Sequence, residues 1–254
     1  MEKRGISHIE VILSFLIFIG FIMFALYFFS PFEGSRLIES SLEYAFIDLI
    51  KNTSVELKIY PVVIEGDTKN KAENIIEIEI PENDNELNLR VENYLGEPIP
   101  SRRSSTDLKL IRVKLEDSIF DNFDGKGFIN MKFSKDITSY SPPEDLNGAI
   151  IDQSSGKMYN IGSGNVIKAI SEKKLIDLKT LYEISPEDYN NIKKSFNLPS
   201  RVNFGFAMVY DGGQKIETTK EIPPGVEVFS KKKRIEILNL GGKIEFGEII
   251  VKVW

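Results

Sequence analysis

A segment of 22 residues without a charged side chain, from Val11 to Phe32, constrains this chain most strongly. It reads VILSFLIFIGFIMFALYFFSPF. As an α-helix rising about 1.5 Å per residue, it is roughly 33 Å long, close to the ~30 Å hydrocarbon core of a bilayer. Large apolar side chains point in every direction around such a helix, so no polar face is left for water. The segment therefore predicts one membrane-spanning helix, with membrane lipid as a partner.

Charged residues on the two sides of this segment predict its orientation. Lys3 and Arg4 precede it, whereas Glu33, Arg36 and Glu39 follow it without a positive excess. Because cytoplasmic flanks carry the excess of lysine and arginine, we expect the amino terminus in the cytoplasm and the rest of the chain outside. The apolar core is longer than the about 7–15 residues of a cleavable secretory signal, so cleavage behind it is not expected.

Glu10 lies at the start of the apolar segment, where a carboxylate is costly unless it finds a partner or reaches headgroup water. One interpretation is a boundary residue whose side chain snorkels to the interface. The other depends on the pattern Lys3-Arg4-Gly5-Ile6, with Glu10 as the fifth residue after the glycine. This pattern, followed by an unbroken span, resembles the class III signal peptide of the type IV pilin-like superfamily, particularly of archaeal pilins and pseudopilins.

The resemblance implies a processing step and a set of partners. A prepilin peptidase would cleave after Gly5 on the cytoplasmic side, removing a leader of residues 1–5 and leaving Ile6 as the new amino terminus. The α-amino group of Ile6, with a pKa of roughly 7.7–8.0, would then neutralise Glu10 of a neighbouring subunit and set the register between helices. Other pilin-like subunits, a secretion ATPase and a polytopic platform protein are the further partners implied.

A second helical pattern follows the apolar segment. Ser30-Pro31 interrupts the span, because proline lacks the backbone N–H that a helix interior needs. Apolar residues then recur at three- and four-residue spacing between charged ones, which predicts an amphipathic helix. They are Leu37, Ile38, Leu42, Ala45, Phe46, Leu49 and Ile50. We expect residues 6–51 to form a helical stalk whose apolar stripe packs on an external head.

From residue 52 onward the apolar residues recur with a period of two, which predicts strands. A phase slip between Leu110 and Ile111 suggests a β-bulge. An antiparallel sheet with one solvated face, in a small sandwich, is the expected architecture. The segment 139–147, which contains Pro142-Pro143, predicts a boundary between a first half of the head, 52–140, and a second half, 141–254.

The second half combines further strands with one helix. Gly148–Tyr159 predicts a hairpin that turns at Ser155-Gly156. Ser185, followed by proline and by Asp188, forms a helix start. Further strands are expected at 202–210, 235–240 and 249–254. The expected fold class is α+β: a transmembrane helix that extends into an amphipathic helix, then a mainly antiparallel, β-rich extracellular head with one short helix.

The composition excludes several kinds of active site. The chain has no cysteine and a single histidine, His8, which excludes disulfides, thiolate or histidine-rich metal sites and most histidine-activated nucleophiles. Carboxylate chemistry stays open, but no catalytic constellation stands out, so neither enzyme activity nor a cofactor is expected. Residues 121–127, DNFDGKG, lack the spacing of a calcium loop and predict an ordinary polar turn without a metal.

Two surface features have alternative interpretations. Lys231-Lys232-Lys233-Arg234 is a dense basic run, either a solvated turn between strands or a contact with an anionic polymer such as DNA or a surface glycan. The net charge of −6 disfavours nucleic acid as the main partner, and none is expected. Asn52-Thr53-Ser54 is an N-glycosylation sequon that would face outward in the expected topology.

The leading hypothesis is a structural role. The chain is expected to be a membrane-anchored, pilin-like subunit, a minor pilin or pseudopilin, in an archaeal type IV pilus-like filament at the cell surface. The rival from another class is a monomeric, signal-anchored binding protein whose β-rich head recognises a glycan or a protein partner. A weaker third hypothesis is an ectoenzyme that uses carboxylates.

Overall fold

The computed structural model describes residues 8–28, 32–65, 74–80, 87–120, 125–140, 146, 148–154 and 156–254. Four α-helices lie in these ranges: α1 (His8–Phe28), α2 (Phe32–Thr53), α3 (Glu172–Ile184) and α4 (Pro186–Ser195). The expected processing sequence at residues 3–6, the Ser30-Pro31 interruption, residues 121–124 of the polar turn and Pro142-Pro143 lie outside the described residues.

Helix α1 carries apolar side chains on all sides, as the sequence predicts. From Val11 to Tyr27, every residue except Ala25 is exposed. Residues Glu10–Tyr27 are long and apolar enough to cross a membrane, and no other helix in the described part of the chain has that length and composition. This supports a single-pass anchor, while the orientation of the chain across the membrane stays a prediction.

The described residues also form thirteen strands, which fall into two sheets. They are β1 (Ser54–Ile64), β2 (Ile75–Glu79), β3 (Asn88–Asn93), β4 (Pro98–Ile99), β5 (Ser101–Arg103), β6 (Leu110–Lys114), β7 (Gly127–Ser134), β8 (Tyr159–Ile161), β9 (Asn165–Ser171), β10 (Phe204–Tyr210), β11 (Lys215–Glu217), β12 (Phe229–Leu238) and β13 (Ile244–Val253). A short 3-10 helix, Asp117–Ile119, precedes β7. In β6 and in most of β7, buried residues alternate with partly exposed ones, as the period of two predicts.

Ten of these strands form one long sheet in the order β11-β10-β13-β12-β9-β1-β7-β3-β4, with β8 as an additional partner of β1. Pairing is antiparallel except between β12 and β9, which run parallel at Ile237 and Ile170. Strands from both sides of the expected boundary at residue 140 therefore share one sheet. The division of the head into 52–140 and 141–254 stays a prediction.

The remaining strands form a three-stranded sheet, β2-β6-β5, that packs on part of the long sheet. Ile78 of β2 and Val113 of β6 are fully buried in one core with Val62 of β1 and Met131 of β7. Because strand side chains alternate between faces, each sheet contributes every second residue to this core. This part of the head is a two-layered β-structure, in agreement with the expected β-rich head.

Helix α2 covers another part of the long sheet. Ala45, Phe46 and Leu49 are at most 4% exposed and share a second core with Ile237 of β12 and Val251 of β13. We call these three helix residues the inner stripe. They belong to the apolar pattern that the sequence predicts to face the head, so the predicted packing of α2 is confirmed for these residues. Leu37, which is expected in the same pattern, is instead 50% exposed. It precedes Phe46 by nine residues and therefore lies on the opposite side of the helix.

Helix α4 begins where the sequence predicts. The side-chain oxygen of Ser185 accepts a hydrogen bond of 3.1 Å from the backbone N–H of Asp188, which satisfies one of the unpaired donors of the first turn. Tyr189, Ile192 and Phe196 are buried against the second core. Their spacing of three and four residues places them on one face of the helix.

Helix α3 is not predicted by the sequence pattern, so the described part of the head has two short helices rather than one. Ser171 ends β9 and caps α3 by accepting a 3.2 Å hydrogen bond from the N–H of Lys174. Only Leu175 and Tyr182 of this helix are buried. Two buried residues seven apart give a weak periodic signal, and charged residues dominate the first turn.

The phase slip near residue 110 marks a turn rather than the predicted β-bulge. Leu108 lies in the turn between β5 and β6, and the N–H of Leu110 donates to the carbonyl oxygen of Asp107 at 3.0 Å. The strand begins only at Leu110. The apparent change of phase therefore arises because Leu108 is not part of the strand.

The hairpin predicted over Gly148–Tyr159 is also wrong, although Ser155 itself lies outside the described residues. Ile150 forms an isolated parallel bridge with Ile75 at the start of β2. Tyr159 begins β8 and pairs with Ile64 of β1. The two segments bond to different strands rather than to each other, because long-range pairing prevails over the local turn signal.

A cluster of aromatic rings joins α3, α4 and β10. The ring of Tyr182 meets the rings of Tyr189 and Phe204 edge to face, with centroids 4.9 and 5.4 Å away. The Tyr182 hydroxyl donates a hydrogen bond to the carbonyl oxygen of Phe204. Burial raises the pKa of Tyr182 well above its ordinary value.

The raised pKa of Tyr182 predicts a loss of stability in alkali. A group whose pKa is higher in the folded state contributes stability below its unfolded pKa, here about 10, and that contribution is lost as the pH rises further. We expect Tyr182→Phe to lower the free energy of unfolding by about 1 kcal/mol near neutral pH. Above about pH 10 the difference should shrink, because the variant has no phenol to ionise at this position. Urea unfolding of the full chain in detergent measures both values, and a difference independent of pH would contradict the assignment.

Candidate assembly surface on the N-terminal helices

The expected processing residues divide between described and undescribed parts of the chain. Lys3, Arg4, Gly5 and Ile6 lie outside the described residues, so their roles stay predictions. Glu10 lies in the first turn of α1 and is exposed. Its carboxylate therefore lies at the beginning of a helix whose residues from Val11 to Phe28 are all uncharged.

The surface of α1 is an apolar cylinder. Phe15, Phe18 and Phe21, on successive turns, are 59–67% exposed. Soluble monomers rarely expose contiguous apolar patches larger than a few hundred Å². A helix with side chains of this kind on every side therefore needs a covering of lipid or of other apolar helices.

Helix α2 has a second apolar surface on the side that faces away from the sheet. Leu37, Tyr44 and Ile47 are 50–56% exposed, and their spacing of seven and three residues places them on one side of the helix. We call them the outer stripe. Exposed acidic residues, Glu39 and Glu43, flank it. A narrow apolar stripe bordered by charges suits contact with another protein element better than immersion in lipid.

One flank of α2 is fixed to the sheet by a charged contact. The Lys231 ammonium forms an ion pair with Glu43 and lies 4.9 Å from the centre of the Phe46 ring. Glu43 is thus oriented by β12, whereas the outer stripe beside it has no covering in the described part of the chain. The inner stripe of α2 therefore packs on the head of its own chain, whereas the outer stripe is exposed to the surroundings.

The glycosylation sequon lies where α2 ends. Asn52 is exposed in the last turn of the helix. The hydroxyl of Thr53 donates to the carbonyl of Leu49 at 2.7 Å, and that of Ser54 to the carbonyl of Ile50 at 2.6 Å. The sequon is therefore part of folded secondary structure, and its modification stays a prediction.

The basic run 231–234 lies inside strand β12, so its interpretation as a turn is wrong. Side chains alternate across a strand, and the run is split accordingly. Lys232 and Arg234 point to one face and pair with Glu248 at 3.5 Å and Asp211 at 2.6 Å. Lys231 and Lys233 point to the other face, toward α2. An anionic polymer could not contact all four basic side chains at once, because they lie on two opposite faces of the sheet. Only two of the four share any one surface.

The described residues do not assemble a metal site. No group of three or more histidine, cysteine, aspartate or glutamate side chains within them is placed to hold a metal ion. The calcium-like residues 121–124 lie outside the described residues. The expectation that the chain is not an enzyme stays a prediction.

No protein-family model matches the chain, and no curated protein matches it significantly. Conclusions about function therefore depend on the residues and the geometry of this chain. The pilin-like resemblance of its first thirty residues stays a hypothesis based on the sequence.

Proposed function

We propose that this chain is a membrane-anchored, pilin-like structural subunit, a minor pilin or pseudopilin, of an archaeal type IV pilus-like filament. In this proposal a prepilin peptidase cleaves after Gly5, and the apolar helix stays on the mature protein. A secretion ATPase and a platform protein then move that helix out of the bilayer into a bundle of similar helices. The head lies outside the cell, and the Lys3-Arg4 side lies in the cytoplasm.

The observation that carries this proposal is the outer stripe of α2. A simple membrane anchor accounts for α1, because lipid covers an apolar helix. It gives no reason for Leu37, Tyr44 and Ile47 to be exposed on the helix that holds the head. Neighbouring subunits would cover both the apolar surface of α1 and the outer stripe, so one mode of assembly accounts for both helices.

The free energy that α1 gains by packing against other helices differs between the bilayer and water. Within the bilayer, helix packing gains little hydrophobic free energy, because lipid tails are as apolar as the side chains. After extraction, each large side chain that is buried against another subunit rather than left in water contributes roughly 1.5–3 kcal/mol. The aromatic side chains of α1 therefore favour the bundle once the helix leaves the membrane. Glu10, paired with the α-amino group of a neighbour, favours one register among the possible ones.

The mature amino terminus separates the proposal from its rival. We expect mass spectrometry of the protein from native membranes to find a chain that begins at Ile6. A chain that begins at Met1 would instead support the monomeric, signal-anchored binding protein, because such an anchor needs no processing. Loss of the apolar helix itself, with a soluble head recovered from the medium, would contradict both hypotheses.

The role assigned to Glu10 predicts a specific defect. Glu10→Ala should insert into the membrane normally but enter filaments less efficiently, because the subunit can no longer neutralise a neighbour's amino group. Glu10→Gln, which keeps the shape and removes the charge, should behave in the same way. Membrane fractionation and quantification of the subunit in sheared filaments measure the two steps. Normal filament incorporation of both variants would contradict the role in register.

The two stripes of α2 predict opposite consequences of similar truncations. Leu49→Ala, in the inner stripe and 1% exposed, should lower the free energy of unfolding by about 2–5 kcal/mol. Leu37→Ala, in the outer stripe and 50% exposed, should change stability by less than about 0.5 kcal/mol and reduce the amount of subunit in filaments. Unfolding in detergent and filament yield distinguish the two, and an assembly defect proportional to the loss of stability would contradict a separate role for the outer stripe.

A further inference from the structure

A groove on the long sheet brings together lysines from distant parts of the chain. It has a volume of about 970 Å³ and runs between α2 and the segment at Leu87, just before β3. Lys231 and Lys233 of β12 line one side. Five further lysines complete the lining: Lys51, Lys58, Lys135, Lys168 and Lys174. We call this the lysine groove.

The positive charge of the lysine groove is only partly balanced. Its lining contains seven lysines but two acidic residues, Glu43 and Glu56, in a chain whose net charge is −6. Glu43 is engaged by Lys231, and the Lys174 ammonium lies 3.8 Å from a carboxylate oxygen of Asp136, which is not part of the lining. Lys51, Lys168 and Lys233 form no ion pair with any residue that the structure describes. Like charges that line one groove repel one another, so an anionic group from outside would stabilise it.

Apolar residues in the lining of the lysine groove indicate which kind of molecule binds there. Ile47 and Ile50 of α2 border the lysines, so the groove offers aliphatic contacts beside ammonium groups. The one aromatic residue of its lining, Phe46, is 4% exposed and offers no ring on which a nucleic-acid base could stack. A peptide segment with carboxylates and aliphatic side chains matches this surface better than a nucleic acid does.

The chain itself carries a segment of that composition. Residues 221–228, EIPPGVEV, join β11 to β12 and are exposed throughout. They contain Glu221 and Glu227 and no basic residue, and neither glutamate has an ion-pair partner among the described residues. Three aliphatic side chains, Ile222, Val226 and Val228, are 37–43% exposed, although exposed connections are usually polar. We call this segment the arm.

The residues just before the arm are fixed by contacts with the head, and the arm itself contains a turn. Lys220, just before it, lies 3.5 Å from the centre of the Tyr189 ring, and the N–H of Thr219 donates to Glu183 at 3.1 Å. Within the arm, the N–H of Val226 donates to the carbonyl oxygen of Pro223 at 3.4 Å, and the φ of Gly225 is +81°. The base fixes where the arm leaves the head.

We propose that the arm of one copy docks in the lysine groove of a second copy, with its two glutamates on the lysines and its aliphatic side chains on Ile47 and Ile50. The arm does not line the groove of its own chain. Strand β12 starts directly after the arm, and its residues 229–233 cover about 13 Å on the way to the groove. A displacement of one copy along this strand brings its arm level with the groove of the next.

This contact is heterologous, because the arm and the groove are different surfaces of the same chain. Contacts of this type continue from copy to copy into a ring or an open filament. The inference rests on the proposed function, since a filament supplies the row of identical copies. It adds a head-to-head interaction, set by charge, to the contacts between helices.

The absence of cysteine from the chain permits a direct test by cross-linking. Full-length Glu227→Cys and Lys233→Cys proteins are purified in detergent, mixed and oxidised mildly. We expect a disulfide-linked dimer from the mixture and little from either variant alone. Lys232→Cys, the next residue on the opposite face of β12, is the matched control and should cross-link to Glu227→Cys about tenfold less. Equal cross-linking of the two lysine positions would overturn the proposal.

Charge reversal tests the same contact without a covalent bond. Lys168→Glu with Lys233→Glu, or Glu221→Lys with Glu227→Lys, should each abolish co-sedimentation of copies, and a mixture of the two reversed proteins should restore it. No restoration would overturn the docking. Tight binding of a 20-mer DNA by the wild type, lost in the lysine variant while self-association is unchanged, would also overturn it and make the groove a nucleic-acid site.

These outcomes distinguish failure of the docking from failure of the proposed function. Filaments that form from chains beginning at Ile6, without cross-linking of the arm to the groove, would refute only the docking. A mature chain that begins at Met1 and forms no filaments would refute the pilin-like function, whereas specific cross-linking of such a chain in detergent would still support the contact.

Discussion

Burial of the inner stripe of α2 on strands β12 and β13 is the contact on which the rest of the molecule depends. Ala45, Phe46 and Leu49 contribute to one core with side chains from both strands. Since the stripe occupies one side of the helix, the opposite side is left exposed with Leu37, Tyr44 and Ile47. The same packing forms one wall of the lysine groove. The outer stripe and the groove are therefore related to one another through a single helix–sheet contact.

Local features of the fold could be predicted from the sequence, whereas its long-range pairings could not. Alternation predicted strands such as β7, and the Ser185 start predicted α4, because these signals depend on neighbouring residues. Helix α3 escaped prediction since only Leu175 and Tyr182 are buried. The partner of Tyr159 is Ile64, almost a hundred residues away, and no turn signal at Ser155-Gly156 contains that information. Sequence patterns indicate which face of a strand is buried, but they do not identify the strand that pairs with it.

The surfaces proposed for assembly also differ in how far the sequence predicts them. The apolar helix α1 could be predicted from its composition, and the inner stripe of α2 from its spacing. The outer stripe could not be predicted, because Leu37 has the spacing of a residue that faces the head and is nevertheless exposed. The lysine groove could not, because its members extend from Lys51 to Lys233 and meet only in the folded sheet. The basic run at 231–234 is the one sequence feature that points to the groove, but its four residues do not form a single surface. Strand alternation assigns Lys231 and Lys233 to the groove and places Lys232 and Arg234 on acidic partners on the opposite face.

The junction of α2 with β1 has a mechanical consequence. Helix α2 ends at Thr53 and strand β1 begins at Ser54, so no connector separates α2 from the sheet. Strand β1 lies inside the long sheet, bonded to β9 along one edge and to β7 along the other. Tension applied through α2 therefore acts along β1 and loads both rows of hydrogen bonds in shear, all at once, instead of opening them one after another. A head attached in this way resists being pulled apart far better than one that is attached through an edge strand.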